Sequence, residues 1–258
     1  MDWELSGDRG SCGRATLAGL LGLALVAWIV AVEEMRGMDA GPGTDLGTFG
    51  WFIGTWVAMM VAMMLPSAMP AVSLYSRLRG DARTWAFVSG YLLAWTLYGL
   101  VAYAAYRALR VSAPSFVAWD DRGPWVAGGA LIVAGLYQLS PLKAACLRHC
   151  RSPIGFLARG RRGPFGATQI GFAHGVFCVA CCMGLMLALF ALGVMSLFWM
   201  AVVAVVILVE KVLPGGERFS RLVAVVLVVL GVWVAASPSS VPGLTQPTSM
   251  EIGHGVHP

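Results

Sequence analysis

Seven apolar stretches, at 15–32, 51–74, 85–107, 124–141, 169–191, 195–213 and 220–236, set the terms for any fold of this chain. Each approaches the length of about 20 apolar residues that a bilayer-crossing helix needs. Composition agrees. The chain is 58% hydrophobic and 12% charged, whereas soluble domains carry about 25% charge. The sequence therefore predicts an all-α, polytopic membrane helical bundle of about seven transmembrane helices. The count falls to six if 169–213, joined only by Leu192-Gly193-Val194, is one re-entrant element. Residues 1–14 read as an N-terminal cytoplasmic segment, 15–236 as the bundle and 237–258 as a disordered tail rich in Pro, Ser, Gly and Thr. The run at 15–32 has no clean small-x-small cleavage site and reads as an anchor helix.

Loop charges orient the bundle. Glu33, Glu34, Asp39 and Asp45 face only Arg36 in the 33–50 loop, which is placed outside. The 75–84 loop, with Arg77, Arg79 and Arg83 against Asp81, belongs inside. So does the 142–168 loop, which holds Lys143, Arg148, Arg151, Arg159, Arg161 and Arg162 and no acid. Alternation puts the N-terminus inside. The net charge of +5 is thus a topology signal, and the basic cluster lacks the interleaved aromatics of a nucleic-acid surface.

Three clusters carry chemistry. His174, Cys178, Cys181 and Cys182 lie within nine residues; at 100° per residue the thiols fall about 40°, −20° and 80° from the imidazole, on one helix face. Cys146, His149 and Cys150 share a face if their segment is helical, and Lys143 and Arg148 beside them would favour thiolates. Trp56, Met59, Met60 and Met63 lie within about a 100° arc of the second stretch, Met64 stands i+4 from Met60, and Pro66 and Pro70 would kink or end that helix. Thiolate, imidazole and thioether suit a soft ion such as Cu(I). The plainer readings are gap-filling methionines, small buried cysteines and a packed histidine. Met186 is a poorly aimed extra ligand and Met183 points away. Cys12 stands apart, and the tail's His254 and His257 read as incidental. Glu210-Lys211 closes the sixth stretch; these charges either snorkel to the membrane edge, or Glu210 turns inward to pair with Lys143 or balance a cationic metal.

Topology places all three clusters in the cytoplasmic half, so they can converge on one path. Nothing reads as a Walker loop, a phosphorylation motif or a Ser/His/Asp set, and an enzyme is not expected.

Together, Trp56-x2-Met59-x3-Met63-Met64-x-Pro66, Leu142-Lys143-x2-Cys146-x3-Cys150, His174-Gly175-x2-Cys178-x2-Cys181-Cys182 and Glu210-Lys211 resemble the bacterial family of predicted metal-binding integral membrane proteins, domain of unknown function 2182. The resemblance spans roughly 50–215; position 183 is Met where many relatives carry an aromatic residue. Members are often labelled copper chaperone, which implies copper handling here. The expectation is a bacterial inner-membrane protein binding Cu(I), with zinc the second choice. His174, Cys178, Cys181 and Cys182 would form its primary site, Cys146, His149 and Cys150 a cytoplasmic second site, and the methionines a weaker relay. Lys143, Glu210 and Lys211 would be accessory. Expected partners are the bilayer, the metal ion and a donor or acceptor protein, with homo-oligomerisation left open. The alternatives are a copper permease, a membrane thiol–disulfide redox protein and a structural subunit.

Overall fold

In a computed structural model the apolar stretches become α-helices. The structure describes residues 4–36, 47–112, 122–152, 165–194, 196–238 and 241, with side chains from residue 15 onward. Among these are eight helices and no strand: α1 (Glu4–Met35), α2 (Phe49–Arg79), α3 (Asp81–Ser112), α4 (Gly123–Gln138), α5 (Pro141–Arg151), α6 (Gly166–Leu192), α7 (Leu197–Val212) and α8 (Gly216–Ala236). The all-α class follows directly from the sequence. Helix begins at Glu4, well before the apolar run at 15. Nearly all of the tail from 237, with His254 and His257, lies outside the described residues, as do Asp39, Asp45, Arg159, Arg161, Arg162 and the Cys12 side chain.

Five helices are long and apolar enough to cross a bilayer: α1 from Ala15, α2, α3, α6 and α8. The pair α4–α5, bent by 62°, makes a sixth if taken as one broken span. The stretches at 124–141 and 195–213 yield helices of only 16 residues each, about 24 Å at 1.5 Å per residue. Ser140-Pro141 cuts the first short. Proline supplies no N–H at the first helical position, and Ser140 Oγ accepts from the Lys143 N–H at 3.1 Å, so a new helix starts there. Gly193, at φ 107°, stops α6 and forces the hairpin into α7. α5, short and polar, does not cross by itself.

Small residues decide which helices meet. A side chain on Gly90 of α3 would strike the Thr168 carbonyl oxygen of α6, and one on Gly171 of α6 would strike the Phe87 carbonyl oxygen of α3. One turn on, a Cβ at Gly175 would lie 2.7 Å from Ala94 Cβ. Gly171-x3-Gly175 therefore presses α6 against α3, backbone to backbone, as small-x3-small pairs do between membrane helices. Gly128 and Gly135 on α4 do the same against Gly231 and Ala224 on α8. The buried side chains of all these helices form one cluster, and α2 and α6 contribute most of it.

Gly171→Val should destabilise the protein in detergent by at least the about 1–3 kcal/mol typical of overpacking. Gly129→Ala, where nothing lies within 4 Å, should be neutral or stabilise by up to about 1 kcal/mol. Thermal unfolding of the two variants side by side checks the contrast.

Candidate metal centre

α6 presents His174, Cys178, Cys181 and Cys182 to the interior, all four buried, as the face analysis requires. Exposed Met183 points away and Met186 is buried. The five described cysteines are all free thiols.

The thiols come together across two helices. Cys150 Sγ on α5 lies 3.8 Å from Cys181 Sγ, and Cys181 Sγ lies 3.6 Å from Cys182 Sγ. Cys181 also donates to the Cys178 carbonyl oxygen at 3.2 Å. Cys178 is held differently: Lys211 Nζ donates to its sulfur at 2.8 Å, and the Tyr91 hydroxyl lies 3.1 Å from it. The sulfurs form a chain with one end drawn towards an ammonium. Among the described residues, no three His, Cys, Asp or Glu side chains stand ready as ligands of one ion. The single four-ligand set expected on α6 is therefore not preformed. Cys181 and Cys182 diverge by about 100° around the helix, and Lys211 already occupies Cys178.

A cavity of about 20 Å³ opens at this point, lined by Cys150, Arg151, His174, Cys178, Lys211 and the α2 segment around Ser67–Ala71. It has room for one water or ion. His174 sits between the rings of Phe87 and Tyr91, centroids 5.8 and 5.9 Å away, and its buried Nδ1 has no hydrogen-bond partner. A buried imidazole nitrogen without a partner, beside such a cavity, is a lone pair or N–H waiting for an occupant.

The second cluster divides. Its segment is helical, and Cys150 joins Cys181. Cys146 is buried one turn earlier, and His149 packs on the Phe177 ring at 3.9 Å. The expected activation of Cys146 by neighbouring cations fails. Lys143 Nζ is committed to Glu210 at 2.6 Å and Arg148 to Glu217 at 3.3 Å. Burial accordingly pushes the Cys146 thiol up from its ordinary value.

Met59, Met60, Met63 and Met64 are all buried but do not line the cavity; the next turn of α2 does. The prolines neither end nor break this helix, which runs unbroken from Phe49 to Arg79. Pro66 lacks the N–H that would bond the carbonyl of Ala62, and Trp28 of α1 supplies a donor instead, Nε1 to O at 3.1 Å. Met64 is tied to the thiols through Tyr91, whose hydroxyl reaches the Met64 carbonyl oxygen at 3.3 Å. Trp56 turns from the site, donating to the Trp95 carbonyl oxygen at 3.0 Å.

Glu210 and Lys211 do not snorkel. Both are buried, and Glu210 pairs with Lys143 while accepting from Gln138 Nε2 at 3.1 Å. Arg151 donates to the Glu210 carbonyl oxygen at 3.2 Å. Sequence reasoning missed Tyr91, Ser67 and Gln138 as parts of this assembly and counted Arg151 only as a loop charge. Gln138 carried a signal, an amide closing an apolar stretch. Tyr91 and Ser67 carried none, because their roles depend on where α3 and α2 cross α6 and α7.

A family model described as a copper chaperone (PpoB2) matches residues 53–234, more than half of the chain. No curated protein and no solved structure matches it.

Glu210→Ala leaves Lys143, 1% exposed, without its carboxylate. The loss should be about 3–5 kcal/mol. Lys143→Met combined with Glu210→Met should recover much of it, read as the unfolding free energies of a double-mutant cycle.

Proposed function

The chain belongs to the copper chaperone family whose model spans residues 53–234, and from that premise we propose that it captures Cu(I) at its buried thiols and hands the ion on, without catalysing a reaction. The observation that carries this reading is the chain of sulfurs Cys150–Cys181–Cys182, spaced 3.8 and 3.6 Å. Sulfurs that share one ion at about 2.3 Å in a tetrahedral site stand about 3.8 Å apart, so small side-chain rotations suffice to close them on a soft ion. His174 and Cys178 line the adjoining cavity and can complete the set once Lys211 releases the Cys178 sulfur. Thiolates favour Cu(I) over harder ions, with zinc the second choice. Cys146 and His149 then support α5 rather than bind. The methionines of α2 lie one turn beyond the cavity, where weaker thioether ligands would accept the ion on its way inward.

In this reading the protein sits in a bacterial inner membrane with its N-terminus and the 142–168 segment inside. The short helices α4 and α7 complete seven crossings. A donor or acceptor protein supplies or takes the ion. A second reading is favoured by the approach of Cys150 to Cys181 from different helices. There the two thiols would lose two electrons and two protons to a membrane quinone, leaving a disulfide and a quinol.

Protein purified without oxygen should bind Cu(I) stoichiometrically, with sulfur scatterers in its X-ray absorption spectrum. Cys181→Ser together with Cys182→Ser should abolish this, while Cys146→Ser should retain it. Absence of bound copper, or indifference to the double substitution, would sink the proposal. Quinone reduction by metal-free protein would favour the redox alternative.

A further inference from the structure

Next to the thiol cavity lies a second, much larger concavity. It measures about 660 Å³ and lies between the end of α5 and the start of α8, lined by Arg148, Arg151, Arg218, Arg221, Glu217 and Gly215 among others. That volume suits a small molecule, whereas the inner cavity of about 20 Å³ admits only an ion or a water. Arg151 lines both. Its guanidinium is fixed at the junction by the Glu210 carbonyl oxygen and by packing over Gly216, where a Cβ would strike it.

The groove is strongly positive. Four arginines face one carboxylate, a net of three positive charges. Glu217 is engaged by Arg148 in an exposed pair, and Arg218 and Arg221 are exposed with no carboxylate partner among the described residues. Gly215, in the left-handed conformation at φ 84°, and Gly216 line the same space and start the 21-residue helix α8, so the partial positive charge of a helix N-terminus lies beside the groove.

A positive groove repels a bare Cu(I) ion, yet on the copper reading, on which this inference rests, it adjoins the thiol cavity through Arg151. We propose that the groove binds a small anionic Cu(I) complex, a thiolate or carboxylate carrier, and that the ion alone moves on to Cys150. The carrier is too large for the inner cavity and stays in the groove. The exchange balances without redox change: the bond from copper to the carrier's donor atom breaks, a Cys150 sulfur–copper bond forms, and the cysteine proton passes to the freed carrier or to water. Arg151, adjacent in sequence to Cys150, holds the anionic end of the carrier during the exchange, and Arg218 and Arg221 draw it in.

The test compares two carriers on the full-length protein in nanodiscs of zwitterionic lipid, by stopped-flow transfer: the anionic Cu(I)–bicinchoninate complex and the cationic Cu(I)–acetonitrile complex. Arg218→Glu with Arg221→Glu should slow loading from the anionic complex by about tenfold at low ionic strength. The gap should shrink as salt is added, and loading from the cationic complex should not slow. Arg218→Gln with Arg221→Gln should give an intermediate effect, which controls for misfolding on charge reversal. Equal slowing with both complexes, or none, overturns the proposal. So does an anionic-carrier preference that vanishes when anionic lipid is added, which would make the groove a headgroup seat. Wild-type protein that loads from both complexes without regard to charge sinks the groove alone; failure to load from either sinks the copper reading with it.

Discussion

Glu210 and Lys211 are adjacent on α7, so their side chains leave the helix about 100° apart, and neither can be left without a partner where water is excluded. Each is answered by a different helix. Glu210 takes Lys143 and Gln138, and Lys211 takes Cys178 and Ser67. One dipeptide thereby ties α7 to α4, α5, α6 and α2. The position of α5 depends on this tie, because α5 turns away from α4 by 62° after Ser140 and is held from beyond the bend by Lys143 and Arg151 on Glu210. Cys150 is carried on that helix. The 3.8 Å approach of Cys150 to Cys181 is thus a consequence of how a buried carboxylate is satisfied.

The second constraint is close packing without hydrophobic drive. In a bilayer, lipid tails are as apolar as leucine, so helices associate through contact area and hydrogen bonds. Gly90, Gly171 and Gly175 bring α3 and α6 near enough for Tyr91 to reach both the Cys178 sulfur and the Met64 carbonyl oxygen. The same hydroxyl joins the thiol chain to the thioether-bearing helix. The two parts of the sequence richest in soft ligands therefore communicate through a residue that is not itself soft.

Much of the candidate site was legible because helical periodicity is local. His174, Cys178, Cys181 and Cys182 do share a buried face, Met183 does point away, and residues 142–150 are helical. The inward turn of Glu210 was visible as one of two options, and the structure selects pairing with Lys143. Less legible was anything that depends on distance between helices. Lys143 looked like an activator of Cys146 because the two are three residues apart, yet its ammonium is spent on a carboxylate 67 residues away. Pro66 looked like a helix breaker because the donor that repairs the gap, Trp28, belongs to another helix.

The all-α class, the apolar helices and the soft-ligand side chains on one face of α6 follow from residue type and a fixed turn of 100° per residue. Which thiols meet depends on how separate helices cross, which residue type and local periodicity leave open. The four ligands on α6 are not preformed as one set among the described residues, because Lys211 draws the Cys178 sulfur aside. Cys150 of α5 comes within 3.8 Å of Cys181 on α6, on a helix held by the pairing of Lys143 with Glu210.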